Sequence, residues 1–115
     1  LLHGDLHHKN ILRDRQGGWR AIDPKGIAGV AVMETARFIQ NELDLVAPDE
    51  VPAALDHMTS LFAAELGQPK RMVALCAFVD KVLSTVWGIE ENYTEAQLAA
   101  CMSQCDLFLE HVRQL

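Results

Sequence analysis

The sequence predicts an α+β chain that is mainly helical, with a polar loop and a β-hairpin followed by about four α-helices. Three observations carry this. Short strand-like stretches flank a Gly-Gly turn before Pro24. Apolar residues then recur at helical spacing to the end of the chain. Pro, Gly and a Thr-x-x-Gln pattern cut that periodic part into separate helices. At 115 residues, half of them hydrophobic, the chain can build one core. The expected division is 1–30, loops and hairpin, and 31–115, helical.

Taken in order, "NILRD" and "WRAID" flank "RQGG" and predict a hairpin pairing Ile11–Arg13 with Trp19–Ile22. The glycines supply turn conformations closed to other residues. "DPKGIAG" reads as a loop, because Pro24, Gly26 and Gly29 break regular structure. A first helix is expected from about Ala31 to Leu43. Pro48 and Pro52 mark a break, and Asp49 is the expected N-cap of the next helix. There Leu55, Met58, Phe62 and Leu66 recur until Gly67. A third helix starts after "QPKR", with an expected buried stripe of Met72, Cys76, Val79, Leu83 and Val86. Leu75, Val82 and Trp87 widen it, so Trp87 reads as core rather than as a substrate platform. The last helix opens on Thr94, with Gln97 completing a capping box. Its expected buried face is Leu98, Cys101, Cys105, Phe108 and Val112. These helices have more apolar face than one hairpin can cover, so they pack on one another or on further protein.

Charge is unevenly spread. Residues 1–37 hold six Lys and Arg against four Asp and Glu, while 38–115 hold four against twelve. The net charge of −6 disfavours bulk nucleic-acid binding. The acidic helical part reads as a solvated surface, or as one that attracts a cationic substrate. Cys76, Cys101 and Cys105 are odd in number and lie in apolar surroundings, as reduced core thiols of a cytoplasmic protein do. No uninterrupted apolar run approaches 18 residues and no signal-peptide pattern is present, so no membrane association is expected.

The chemistry concentrates in "LLHGDLHHKNIL". Asp5 and Asn10 are five apart, and Asp23 lies thirteen beyond Asn10, at the end of the second strand. Two carboxylates and an amide oxygen at the ends of neighbouring strands suit Mg²⁺ and phosphates. A carboxylate beside a hydroxyl can orient it and accept its proton. An Asn amide coordinates the ion without adding negative charge next to polyphosphate. The same layout of base, amide and hairpin-end carboxylate serves phosphoryl transfer in kinases. The rival chemical reading is zinc on His3, His7 and His8, but these lie on a loop and no complete ligand set is evident. The plain reading is a polar turn between strands.

"LLHGDLHHKNIL" followed by "WRAIDPKG" resembles the aminoglycoside phosphotransferase family of kinase-like enzymes. It is most similar to the branch of streptomycin 6-phosphotransferases and of antibiotic and hydroxyurea resistance kinases. "GVAVMETARFIQNEL" extends the resemblance to about residue 43. The resemblance implies part of the C-terminal lobe of a protein-kinase-like fold, with ATP and Mg²⁺ as cofactors. It implies Asp5 as catalytic base, Asn10 and Asp23 as magnesium ligands, and His3 and His7 as loop-shaping groups. His8 and Lys9 stand where many relatives have Pro and Gly, and Glu34 where an Asp is commoner. Lys25 is a candidate phosphate contact, and Glu90 and Glu91 are candidates for a cationic acceptor. A solvated loop Lys and an exposed acidic helix end are the plainer readings of these three.

The implied reaction moves the ATP γ-phosphoryl group to a hydroxyl of a cationic, streptomycin-like aminoglycoside, conferring resistance. The resemblance begins at the catalytic loop, without a nucleotide-covering lobe, so the isolated chain is expected to be weakly active or inactive. Two alternatives stand beside it. One is a non-catalytic helical module that self-associates through its bare apolar faces. The other is a kinase-like phosphotransferase for another metabolite.

Overall fold

The computed structural model describes residues 1–115. It consists of a two-stranded hairpin, β1 (Ile11–Arg13) and β2 (Trp19–Ala21), and four helices. These are α1 (Glu34–Leu43), α2 (Val51–Leu66), α3 (Lys70–Glu90) and α4 (Glu95–Arg113). One-turn 3₁₀ segments precede β1, at His8–Asn10, and α1, at Ala31–Met33. The chain is therefore mainly helical with a small antiparallel sheet, as the sequence predicts.

The hairpin pairs Ile11 with Ala21, Leu12 with Arg20 and Arg13 with Trp19. Asp14 builds its turn, with Oδ1 accepting the Gln16 and Gly18 N–H groups. β2 ends one residue short of the expected Ile22. The Ile22 N–H nevertheless donates to the Asn10 carbonyl at 2.9 Å, which carries the pairing to the foot of the hairpin. Leu2 and Ile27 form an isolated antiparallel bridge beside it. Segment 1–5 thus runs next to segment 23–27.

The core joins Val32 and residues of all four helices: Ile39, Leu43, Val51, Leu55, Met58, Val73, Ala77 and Phe108. Helix α2 carries Pro52 in its first turn, where a missing N–H does no harm. It stops at Gly67, whose φ of 60° gives the left-handed C-cap. Asp49 is not its N-cap. Glu50 holds that position in a helical conformation without a side-chain hydrogen bond, because the chain enters the helix directly from a turn. Helix α4 has the expected capping box of Thr94 and Gln97.

Helix α3 corrects the periodicity reading. Its buried residues are Val73, Ala74, Ala77, Thr85 and Gly88, the small side chains. The expected stripe faces out: Met72, Leu75, Val79, Val82, Leu83, Val86 and Trp87 are all exposed and Cys76 is half-buried. The reason is packing. Helices α1, α2 and α4 all lie against α3, and small residues let neighbouring helix axes approach closely. Trp87 is 48% exposed and carries the Arg37 guanidinium over its ring, 5.8 Å from the centroid, so it is not core. On α4 only Phe108 and Val112 of the expected face are buried, while Leu98, Cys101 and Cys105 are half-buried. By length and composition α3 could cross a bilayer. Its midpoint, however, carries Asp80, which is paired with Arg37 of α1.

Candidate active site

The loop is shaped by backbone groups before any ligand is considered. Gly4 has a φ of 85°, open to glycine at little cost. A Cβ there would lie 3.0 Å from Ile27 Cγ1 and 3.1 Å from Lys25 Cβ. Only glycine lets the two segments pass this closely. The His3 and Gly4 N–H groups both donate to the Glu34 carboxylate, at 3.0 and 2.9 Å. The first turn of α1 thus holds the start of the loop.

His3 ties the loop to the hairpin. Its Nδ1 accepts the Asp5 N–H at 3.2 Å, which leaves Nε2 to donate to the Ile22 carbonyl at 2.6 Å. The Lys25 N–H donates to the His3 carbonyl at 2.6 Å. His7 Nδ1 accepts the Lys9 N–H. Its Nε2 then faces the Asp5 carboxylate at 3.6 Å and the Asn10 amide at 3.3 Å. His8 turns the other way, toward Glu42. The three histidines therefore serve different partners, and no group of three His, Cys, Asp or Glu side chains converges as a metal cage.

Asn10 is the pivot. It is buried, and its amide nitrogen donates to the Asp5 carbonyl at 2.9 Å. That bond orients the amide and leaves Oδ1 without a hydrogen bond from the protein. The Asn10 carbonyl meanwhile accepts the N–H of Ile22, the residue before Asp23. Asp5, Asn10 and Asp23 are thus gathered at the foot of the hairpin. Asp23 has a φ of 53°, a left-handed conformation uncommon outside glycine and better tolerated by Asp and Asn than by most residues. Such strain is concentrated at functional positions. Two carboxylates and a free amide oxygen are a donor set that fits Mg²⁺, which takes one or two carboxylates and completes its shell with water and phosphate oxygens. Lys25 lies beside this cluster, against Gly4.

Glu90 and Glu91 lie outside it. They end α3, are exposed, and make no hydrogen bond or ion pair with the loop. One acidic residue of α3 that the sequence reading did not single out, Asp80, feels the charge of Asp5 in the loop. Burial pushes its carboxyl above the usual range. Arg37 and Gln40 oppose that shift by charge and hydrogen bonding, and the Asp5 charge reinforces it. Arg37 Nη2 is 3.2 Å from Asp80 Oδ1, and its Nη1 donates to Ser84 Oγ. From Asp80 to Glu90 is about 15 Å along the helix axis. Glu34 and Glu42 reach the loop from a helix 30 or more residues along the chain, and no local spacing signals such contacts.

A polar loop tied to the foot of a hairpin, with a left-handed Asp beside it, is the layout that kinase-like enzymes use. The chain belongs to the aminoglycoside/hydroxyurea antibiotic resistance kinase family, whose model matches residues 1–92. Among characterised proteins it is similar to a streptomycin 3''-kinase of Klebsiella pneumoniae, at 35% identity over 105 residues. That match covers 86% of this chain and 38% of the relative, so the chain spans about two fifths of that protein's length. No solved structure matches the chain.

Proposed function

We propose that the chain is the catalytic-loop part of a small-molecule kinase's C-terminal lobe, acting on a hydroxyl of a streptomycin-like aminoglycoside. Asp5 is the base: its carboxylate orients the acceptor hydroxyl and takes its proton as the oxygen attacks the γ-phosphorus of ATP. ADP leaves, and the phosphate ester carries the transferred group. Asn10 Oδ1 and Asp23 would hold Mg²⁺, which neutralises phosphate charge when bound. His3 and Glu34 fix the loop so that Asp5 meets its substrate without reorganisation. Lys25, whose Cβ packs beside Gly4, would contact a phosphate, the reading its position next to the loop supports. Glu90 and Glu91 are left as a solvated helix end. The supporting relative is named for the 3'' position and the loop resembles a 6-phosphotransferase branch, so the proposal commits to an aminoglycoside hydroxyl and not to its position.

The observation that carries this reading is the Asn10 amide, whose nitrogen is committed to the Asp5 carbonyl and whose oxygen is free. The site works in the cytoplasm, where ATP is supplied, and the isolated chain is weakly active or inactive. The test is a chimera in which this chain replaces the matching part of the streptomycin 3''-kinase. Streptomycin-dependent phosphate transfer from ATP is the expected result, with product NMR locating the phosphate. Asp5→Asn lowers the rate by about 10²- to 10⁴-fold. A chimera that binds ATP yet transfers nothing to streptomycin or related aminoglycosides overturns the assignment.

The exposed apolar face of α3 favours a second reading, a helical module that self-associates. Sedimentation of the isolated chain decides it: a monomer at every concentration removes this reading.

A further inference from the structure

We infer that α1 clamps the catalytic loop at two points, and that His8 is the positioning residue at the second. The inference rests on the site reading above. The first point is Glu34, in the first turn of α1, holding the His3 and Gly4 N–H groups. The second lies two turns on. His8 Nε2 is 2.8 Å from Glu42 Oε2, across 34 residues of sequence. The same imidazole stacks on Phe38, with ring centroids 4.2 Å apart and planes 17° from parallel. Phe38 in turn meets Phe62 of α2 edge-on, at 5.7 Å. Glu34 and Glu42 are about 12 Å apart along the helix. The loop between them, with Asp5 inside it, is anchored to the helical core at both ends.

A partly exposed polar contact alone would hold the loop weakly. The stack supplies what that contact lacks, because the ring cannot turn away from Glu42 without leaving Phe38. His8 Nδ1 is buried without a hydrogen-bond partner. An aromatic hydrocarbon would avoid that unpaired atom, so what the imidazole adds over a phenyl ring is its bond to Glu42. The consequence falls on Asn10. His8 opens the 3₁₀ turn that ends on Asn10, and the Ile11 N–H closes the turn by donating to the His8 carbonyl. Fixing His8 fixes the turn, and with it the direction of the Asn10 amide oxygen. Nothing in the bond chemistry of Asp5 requires His8, so its action is through Asn10.

The experiment uses the 115-residue chain with Mn²⁺ as a spectroscopic probe for the Mg²⁺ site. Variants are His8→Ala, Glu42→Leu and the double substitution, with Asp23→Asn as control. Hydrogen exchange of the metal-free chain is expected to quicken at the amides of residues 9–11 in all His8 and Glu42 variants. Mn²⁺ affinity by electron paramagnetic resonance is expected to fall about tenfold in each single variant, with the double no worse than His8→Ala. Glu42→Leu lies outside the loop and carries the test should His8→Ala fail to fold. Asp23-dependent Mn²⁺ binding that is unchanged in Glu42→Leu overturns the role of His8 and leaves the site reading intact. Unchanged exchange at residues 9–11 overturns it equally. A parent chain whose Mn²⁺ binding is absent, or survives Asp23→Asn, overturns the site reading and this inference with it.

Discussion

At the scale of single residues, the site depends on backbone groups held by side chains from elsewhere. Glu34 is the clearest case. Its carboxylate satisfies two N–H groups of a loop that has no regular structure to satisfy them. Glu34→Ala leaves both without that partner and is expected to destabilise the chain by about 2 kcal/mol. Urea denaturation checks this: the midpoint should fall with the slope unchanged. Sequence reading singled out Asp5, Asn10 and Asp23, because their spacing matches what phosphoryl-transfer chemistry demands. It noted Glu34 without a role and did not find Glu42. A carboxylate that reaches a loop 30 or more residues away leaves no periodic trace.

At the scale of elements, two junctions lend themselves to test. The turn between α3 and α4 folds Tyr93 over Gly88, where a Cβ would lie 2.6 Å from the ring. Gly88→Ala should cost about 1–3 kcal/mol by overpacking, against the small gain alanine brings to a helix. Tyr93→Ala introduced with it should recover much of the loss, measured by thermal unfolding of both variants. The α2–α4 junction contains His111, whose Nε2 lies 3.0 Å from Thr59 Oγ1. The Thr59 hydroxyl also contacts the Leu55 carbonyl. Burial lowers the His111 value below 6.5; Asp56 opposes this and Lys70 adds to it. The unfolded chain therefore binds the proton more readily than the folded chain. This group's contribution to stability is present above pH 6.5 and is lost as pH falls below it. Denaturation midpoints at pH 7.5 and 5.5 should differ less in His111→Asn than in the parent. Asp80 works in the opposite sense, since its folded carboxyl takes up a proton before the unfolded one does.

At the scale of the whole molecule, the core is small: 19 of 115 residues are buried, so much apolar surface stays outside. The outer face of α3 contributes a large share of it, with Val79, Leu83, Val86 and Trp87 in a row. This face predicts binding of a hydrophobic fluorescent dye. Leu83→Lys with Val86→Lys should reduce that binding while changing the unfolding midpoint little, since both side chains are exposed. A large loss of stability with unchanged dye binding would show that the buried and exposed faces of α3 had been exchanged.

The sequence by itself determined the local features. The hairpin follows from its Gly-Gly turn, the stop of α2 from Gly67, the start of α4 from Thr94 and Gln97, and the proposal for the site from three spaced residues. Each is decided by groups a few residues apart, or by a turn that joins them. Only the tertiary structure decided which face of α3 is buried and which helices hold the loop. Periodicity shows that a helix has an apolar face. It does not show which face its neighbours cover when the other side is lined with Ala, Thr and Gly. Close helix packing rewarded the small residues, and the tertiary fold brought Glu34 and Glu42 of α1 to the loop.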